Sequence, residues 1–363
     1  MTSIKPDSDI VLIVGAGSTF ADSTSGSKFR KPPLDRNFFR LAKKQHPHET
    51  SRIVSFLQKT FNIDILKDPH DSVEQIMVML YSDTYHPTLG SDSFKTFRRL
   101  VQLYNKRIAE TTNDLDPNNK RRFFRLISNF AAHLKRLNQI TFVTFNQDIH
   151  IERTLSKFDS YSKYASHGRF LSFPECYGFI SPTLTTPSSG VPCFEKHNDG
   201  SQSPRIYKLH GSLNWFSTHN SPHPSPNQIF NPTRKISITR RSKLNTQFRK
   251  VTGARSVPTF PIIVPPVLHK SSILHNDLKP MWSDAEKRIG RATDIIIYGY
   301  SCPESDVESS NMIRRAISKN KRLRSISVID PNPDVGRRYF QLLDVGFLSC
   351  YRTADEFLSV NSV

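Results

Sequence analysis

The chain has 363 residues, a formal net charge of +19, 36% hydrophobic residues and 23% charged residues. These proportions are typical of a globular protein, and the length allows one large hydrophobic core or two smaller ones. No apolar run reaches the roughly 20 residues that span a bilayer, and no basic segment followed by an apolar one begins the sequence, so we expect a cytoplasmic protein with no membrane contact.

The four cysteines predict neither a disulfide framework nor a structural zinc site. Cys176, Cys193, Cys302 and Cys350 lie far apart, and no Cys-x-x-Cys pair occurs. Structural zinc is usually held by closely spaced thiolates, and disulfide-rich domains are usually short and secreted. We therefore expect no metal in this protein.

The first predicted strand leads into a glycine-rich turn. Ile10 to Val14 is a short apolar run, and Gly15-Ala16-Gly17-Ser18 turns the chain towards a polar segment that ends near Ser27. Backbone amides at such a turn can bind a pyrophosphate, because small residues leave the amides uncovered. Position 20 is Phe, so the third glycine of the dinucleotide fingerprint is missing and a dehydrogenase is disfavoured.

A helical insertion is predicted between the first two strands, over residues 50–138. Its apolar residues recur at helical spacing and form a stripe on one face of each helix, which is typical of core packing. We expect this insertion to cover the site or to make subunit contacts. The stripes are Ile53, Leu57 and Phe61; Val73, Ile76, Met77 and Leu80; Phe94, Phe97, Val101, Tyr104 and Ile108; and Phe123, Ile127, Phe130, Leu134 and Leu137.

Polar residues follow the second predicted strand, Ile140 to Val143. The segment Thr144-Phe145-Asn146-Gln147-Asp148 comes directly after it and precedes a predicted helix over residues 149–158. Ligands of open α/β sheets bind at the carboxyl ends of strands. Asn146 can orient a water molecule or a ribose hydroxyl, whereas Asp148 either binds a ligand or caps the helix.

Residues 160–258 are rich in Pro, Ser, Asn and Gly, which predicts a small module of long loops and short antiparallel strands. Within it, a strand-like run from Arg205 to Leu209 leads to His210. An imidazole titrates near neutral pH, so His210 is a candidate general base. Trp215, just beyond it, is expected to be a packing anchor.

Strands and helices alternate in residues 260–350, with predicted helices over 282–292, 306–318 and 335–343. The strand Asp294 to Tyr298 ends at Gly299-Tyr300-Ser301, and the strand Ser325 to Ile329 ends at Asp330. Gly299, Ser301 and Asp330 are either phosphate and ribose contacts or turn formers. The pattern predicts an α/β fold: a doubly wound, mostly parallel Rossmann-like sheet with a helical insertion and a small loop-rich second module, within one domain spanning 1–363.

The motifs occur in the order found in sirtuins, and the chain resembles a sirtuin-like domain over about residues 10 to 350. They are Gly15-Ala16-Gly17-Ser18, Thr-x-Asn-x-Asp at 144–148, Leu-His-Gly at 209–211 and Gly-x-Ser at 299–301. The forms Thr-Phe-Asn-x-Asp, Lys-Leu-His-Gly-Ser-Leu-Asn-Trp and Ile-Ile-Ile-Tyr-Gly-Tyr-Ser-Cys-Pro-Glu-Ser-Asp resemble the prokaryotic branch found in antiphage defence, whose members hydrolyse NAD.

This resemblance implies NAD as the substrate, with Asn146 and His210 as catalytic residues and Asp148 next to the nicotinamide carboxamide. Phe145 replaces the Gln of deacetylating sirtuins, and the missing cysteine pairs remove their zinc module, so both features favour the NAD-hydrolase branch. The other predicted cofactor-binding residues are Gly15, Ala16, Gly17, Ser18, Gly299, Ser301 and Asp330.

Three function classes stay open: an NAD glycohydrolase, a protein deacylase or ADP-ribosyltransferase, and a nucleic-acid-associated subunit that senses nucleotide. The net charge of +19 fits either a nucleic-acid partner or solvated faces rich in Lys and Arg. The resemblance further implies a homo-oligomer and a partner such as a HerA-type ATPase or an Argonaute. Candidate nucleic-acid contacts are Lys120-Arg121-Arg122, Arg240-Arg241, Arg314-Arg315 and Lys321 to Arg324.

Overall fold

The computed structural model of this protein describes most of the chain between residues 4 and 361. Cys193 and Arg240-Arg241, which the sequence singled out, lie outside the described residues. The described residues are 4–23, 37–67, 72–85, 88, 90–113, 115–161, 170–171, 175–177, 179–180, 195–196, 203–218, 236–238, 249–252, 255–263, 278–304 and 306–361.

The described strands form one parallel sheet and two smaller antiparallel ones. In chain order they are β1 (Ile10–Val14), β2 (Ile140–Thr144), β3 (Phe179–Ile180), β4 (Glu195–Lys196), β5 (Arg205–Lys208), β6 (Gly211–Thr218), β7 (Ile236–Ile238), β8 (Arg249–Thr252), β9 (Arg255–Ile263), β10 (Asp294–Tyr298), β11 (Ser325–Ile329) and β12 (Ser349–Tyr351). Within this part of the chain, the main sheet has six parallel strands in the order β12-β11-β10-β1-β2-β5.

The helices cover the sheet and fill the interval between β1 and β2. Those described are α1 (Ala16–Asp22), α2 (Phe38–Gln45), α3 (Pro47–Phe61), α4 (Val73–Ser82), α5 (Gly90–Asn113), α6 (Arg122–His133), α7 (His150–Phe158), α8 (Lys279–Ile289), α9 (Val307–Ser318), α10 (Pro333–Leu343) and α11 (Ala354–Asn361). In this part of the chain, no helix combines the length and the apolar character that crossing a membrane requires.

The parallel α/β fold predicted from the sequence is confirmed. The central strand β1 is at most 2% exposed at every residue, as expected when helices cover both faces of a parallel sheet. Three predicted strands, at Ile10, Asp294 and Ser325, have the predicted bounds, whereas β2 continues to Thr144 and β5 stops at Lys208. β12 and α11 were not predicted.

The insertion between β1 and β2 contains five described helices, α2 to α6. Helix α2 begins at Phe38, twelve positions before the predicted start of the insertion at residue 50, because Phe38 and Phe39 already bury an apolar face. Helix α4 begins with a capping box: Ser72 Oγ accepts a hydrogen bond from the Gln75 amide at 3.0 Å, and Gln75 Oε1 accepts one from the Ser72 amide at 2.8 Å.

The antiparallel strands come from the part of the chain that the sequence predicts to be rich in loops. In the described residues, β6 to β9 form a four-stranded sheet in the order β7-β6-β9-β8, and β3 pairs with β4. The predicted division at 160–258 does not coincide with sheet membership, because β5 pairs with β2 in the main sheet and β9 runs on to Ile263. The division of the chain into modules remains a prediction.

Two turns meet at the carboxyl edge of the main sheet with almost no space between their backbones. The Gly17 amide donates to the Gly299 carbonyl at 2.9 Å, and Gly299 has a left-handed φ of 63°. A Cβ on Gly299 would lie 2.2 Å from the Ser18 amide nitrogen, and one on Gly15 would lie 2.4 Å from the Gly299 oxygen. Only glycine fits at position 299, because a Cβ would collide with the backbone and because the left-handed φ disfavours other residues.

We expect Gly299→Ala to lower the free energy of unfolding by about 2 to 4 kcal/mol, because the new Cβ meets backbone atoms and the left-handed conformation strains alanine. Gly346→Ala is the control, since no heavy atom outside Gly346 and its two chain neighbours lies within 4 Å of the position of its Cβ. We expect this control to change the free energy by less than about 0.5 kcal/mol. Urea unfolding of both variants is the measurement, and equal values for the two would contradict the explanation.

Candidate functional site

Asn146 and Asp148 lie just beyond the carboxyl end of β2, and both are buried, at 8% and 7% exposed. The backbone amide of Asn146 donates to Thr144 Oγ1 at 3.0 Å, which fixes the backbone of the turn. Asp148 Oδ1 accepts a hydrogen bond from the His150 amide at 2.9 Å, at the start of α7. Asp148 thus accepts the first amide of α7 from the position before the N-cap residue Ile149, and its contact with a ligand stays a prediction.

The Thr19 hydroxyl joins these two side chains, and it was not predicted. It donates to Asp148 Oδ2 at 2.9 Å and accepts a hydrogen bond from Asn146 Nδ2 at 3.3 Å. Thr19 lies on α1, directly after the glycine turn, and it is 1% exposed. The first and second strand-end motifs therefore form one buried hydrogen-bonded group.

His210 lies in the turn between β5 and β6, and it is 7% exposed. Its ring meets the edge of Phe145 with centroids 5.2 Å apart, so the residue beside Asn146 touches the candidate base. The turn is held on both sides: the Leu209 amide donates to the Thr144 carbonyl at 3.0 Å, and Trp282 Nε1 donates to the Leu209 carbonyl at 3.1 Å. His210 is thus brought to the segment that contains Asn146.

A buried ion pair connects the same two segments from behind. Lys208 Nζ lies 3.1 Å from Glu152 Oε1 on α7, and it also donates to the backbone carbonyl of Asp148. Glu152 Oε1 accepts a further hydrogen bond from the Tyr177 hydroxyl at 2.9 Å, and Asn214 Nδ2 donates to that hydroxyl at 3.0 Å. No local motif in the sequence indicates this network, because its bonded members lie 25 to 60 residues apart along the chain.

The glycine turn is built differently from the prediction. The amides of Gly15, Gly17 and Ser18 donate to the carbonyls of Tyr298, Gly299 and Gly15, respectively. These three amides are therefore used within the protein, because the turn packs against the end of β10. That corrects the expectation of uncovered donors; the assignment of Gly15, Ala16, Gly17 and Ser18 to cofactor binding stays a prediction.

The two C-terminal strand ends place their predicted residues at the same edge. Gly299 follows β10 and packs on the glycine turn, whereas Ser301 is exposed and its carbonyl accepts a hydrogen bond from Arg338 at 2.8 Å. Asp330 follows β11; burial raises the pKa of its carboxyl, although Oδ1 accepts the Asn332 amide at 2.9 Å. Contacts of these residues with a ligand remain predictions.

Two helices of the insertion contact the segments of the site: α6 contacts α1, and α5 packs against the residues that follow Asp148 and His210. Asp22 Oδ2 lies 2.9 Å from His150 Nε2, and the two oxygens of Asp22 accept the Phe123 amide of α6 at 3.2 and 3.3 Å. Ala109 of α5 packs with Ile149 and Leu213, which belong to the segments that follow Asp148 and His210. These contacts place insertion helices directly against the residues that carry the two motifs.

Among the described residues, no group of three or more His, Cys, Asp or Glu side chains is arranged to hold a metal ion. Cys176 and Cys302 are buried, whereas Cys350 is exposed. Trp215 is fully buried and meets the edge of Tyr177 at a centroid distance of 5.1 Å, so the predicted packing role is confirmed.

No protein-family model and no curated protein sequence matches the chain. Solved structures of Sir2 proteins are similar to it. A mutant Sir2 homologue in complex with ADP-ribose is 14% identical with a TM-score of 0.41, covering 98% of this chain and 91% of that one. Another mutant, with 2′-O-acetyl ADP-ribose, is 12% identical with a TM-score of 0.44, covering 99% and 95%. A third, with a p53 peptide and NAD, is 10% identical with a TM-score of 0.34, covering 97% and 91%.

The buried ion pair gives a testable expectation. Lys208→Met should lower the free energy of unfolding by about 3 to 5 kcal/mol, because it leaves the Glu152 carboxylate buried without its cation. Adding Glu152→Gln should regain a large part of this loss, since neither charge then remains in the interior. Denaturant unfolding of the single and double variants measures both effects.

Arg315→Met is the control for this pair, because Arg315 and Glu286 form a more exposed ion pair, with side chains 53% and 29% exposed. Such pairs contribute about 0 to 1 kcal/mol. A loss for Lys208→Met that is no larger than the loss for Arg315→Met would contradict the role given to burial.

Proposed function

We propose that this protein is an NAD glycohydrolase that cleaves NAD to nicotinamide and ADP-ribose. The observation that carries the proposal is the convergence of three distant segments: Thr19 bridges Asn146 and Asp148, and Phe145, beside Asn146, contacts the His210 ring. Apart from Thr19, these are positions at which the sequence resembles NAD-hydrolysing relatives of sirtuins. An amide, a carboxylate and an imidazole together supply the groups that such a reaction needs.

The reaction requires a water molecule, a departing nicotinamide and a group that takes a proton. The glycosidic bond breaks with its electron pair going to the nicotinamide nitrogen, and the water oxygen bonds to the anomeric carbon. Asn146 Nδ2 is held by the Thr19 hydroxyl, so its carbonyl oxygen is left to orient the water or a ribose hydroxyl. His210 accepts the proton of the water, a step that typically contributes about 10² to 10⁴ in rate.

In the proposed reaction, Asp148 accepts a hydrogen bond from the nicotinamide carboxamide. An ionised carboxylate has about four lone-pair sites, and the Thr19 hydroxyl and the His150 amide occupy one on each oxygen. Each oxygen therefore keeps acceptor capacity. Because both existing donors are fixed by α1 and α7, the carboxylate has one orientation in which to meet a ligand.

Phe145 favours hydrolysis over deacylation or ADP-ribosyl transfer. Its ring stacks on Tyr300 with centroids 4.2 Å apart and an interplanar angle of 22°, and it contacts His210 on its edge. An apolar wall thus stands where the deacetylating sirtuins have a polar Gln. Protein deacylation or ADP-ribosyl transfer remains the alternative.

The biological role that fits this chemistry is antiphage defence by depletion of NAD. An unrestrained NAD hydrolase would harm the cell that makes it, so we propose that assembly into a homo-oligomer or a partner gates the activity. A HerA-type ATPase or an Argonaute would also bring nucleic acid close to the basic chain. A nucleotide-sensing subunit without catalysis is the second alternative.

His210→Ala and Asn146→Ala should each reduce nicotinamide release at least about 10²-fold, because each removes a group that acts on the water. His48→Ala is the matched control, since His48 is exposed on α3, and it should keep wild-type turnover. Nicotinamide release is measured by chromatography, with circular dichroism to show that each variant is folded. Wild-type release by folded His210→Ala would refute the assignment of the base.

Nucleic-acid binding is tested through its salt dependence. Lys120, Arg314 and Lys321 are exposed members of the basic clusters. If one of them contacts a phosphate, its replacement by Ala should reduce the slope of log affinity against log salt by about one unit. Titrations of a labelled duplex at several salt concentrations give the slope, and an affinity that is independent of salt would exclude phosphate contacts.

A further inference from the structure

A carboxylate lies beside the candidate base. Asp306 Oδ1 is 3.7 Å from His210 Nε2, and both side chains are buried, at 4% and 9% exposed. Asp306 stands at the N-cap position of α9, where an Asp side chain usually accepts a backbone amide. Here the carboxylate makes no such capping bond. It is turned instead towards the interior, where His210 lies.

Two hydroxyl groups hold the carboxylate in this orientation. Asp306 Oδ2 accepts a hydrogen bond from the Tyr300 hydroxyl at 2.6 Å, and Oδ1 accepts one from Ser309 Oγ at 2.6 Å. Burial, together with the neighbouring Asp306 charge, raises the pKa of Tyr300, so this hydroxyl keeps its proton and remains a donor. The ring of Tyr300 stacks on Phe145, which contacts His210. The same residues therefore fix both the carboxylate and the imidazole.

The other polar and aromatic groups near the His210 ring either point to other partners or carry no charge. In the described part of the chain, Lys208 precedes His210 by two residues, but its ammonium is directed to Glu152 at 3.1 Å. Tyr300 directs its hydroxyl to Asp306, and Trp282 of α8 contributes an uncharged ring 6.3 Å from the imidazole centroid. Among the residues that the structure describes, Asp306 is an anionic group that the fold brings to within 3.7 Å of His210.

We propose that Asp306 is a positioning residue for His210: its carboxylate orients the imidazole and stabilises the imidazolium that forms when the base takes a proton. This inference rests on the proposed function, in which His210 is the base. A nucleophile or base that is oriented by a third group is a recurrent arrangement in enzymes. Asp306 acts through His210 and need not touch the substrate.

The direct test is a titration of His210 by NMR in the ligand-free protein. The signal is assigned by its absence in His210→Ala. An anion within about 4 to 6 Å favours the charged imidazole, so Asp306→Asn should lower the pKa of His210 by about 1 unit or more. An unchanged titration would overturn the proposal, whatever the activity of the variant.

Kinetics separate positioning from a purely structural role. Asp306→Asn should lower kcat on the order of 10- to 100-fold with little change in KM, and the acid limb of the pH profile should move to lower pH. Asp334→Asn, the same chemical change in an exposed residue of α10, should leave kcat and the pH profile unchanged. A variant that loses stability but keeps wild-type kcat and pH profile would show that Asp306 only supports the fold.

A second variant keeps the proposal testable if Asp306→Asn does not fold. Asp306→Ser removes the charge but keeps a residue that is favoured at a helix N-cap, and it should show the same lower pKa of His210. If His210 titrates as expected but the wild-type protein releases no nicotinamide, the proposed function fails while the coupling of Asp306 to His210 stands. If the wild type releases nicotinamide and Asp306→Ser keeps its full kcat, the positioning role fails and the proposed function stands.

Discussion

The close approach of two backbone turns is the constraint on which the rest of the site depends. Gly15 and Gly17 pack directly on Gly299, and no side chain fits between the turns. This contact places α1 so that Thr19 reaches Asp148, and it places the segment after β10 so that Tyr300 stacks on Phe145. A methyl group between the two turns would move Thr19 and Tyr300 apart, because Thr19 follows the Gly15–Gly17 turn and Tyr300 follows Gly299.

The sequence predicts the parallel sheet well because a strand buried on both faces is a continuous apolar run. β1, β10 and β11 have their predicted bounds for this reason. β12 is short and largely exposed, so the same pattern does not identify it. The sequence indicates only a polar segment at helix α1, because the buried residues Ser18, Thr19 and Asp22 are polar and give no apolar stripe.

The candidate site was predictable only where a motif carries it. Asn146, Asp148 and His210 stand directly after strand-like runs, so local sequence alone makes them candidates. Thr19 and Glu152 act through partners that lie 129 and 56 residues away along the chain. Asp306 looks from the sequence like an ordinary helix cap, and only the fold shows that its carboxylate turns to His210 instead. Residues whose roles depend on such long-range contacts carry no local signal.

Three described arginines of the basic clusters also have structural roles that charge alone does not reveal. Arg121 donates to the Asp22 carbonyl at 2.7 Å, Arg122 pairs with Asp355 at 3.2 Å, and Arg322 pairs with Asp9 at 3.1 Å. These guanidinium groups connect helices and strand ends, so part of the apparent basic surface supports the fold. A nucleic-acid partner would therefore have to be held by charges outside these pairs, such as Lys120 and Lys321, and by the arginine faces that the pairs leave exposed. Because Arg121 reaches Asp22, which itself contacts His150 at the start of α7, a phosphate that drew Arg121 away would also disturb the support of the site.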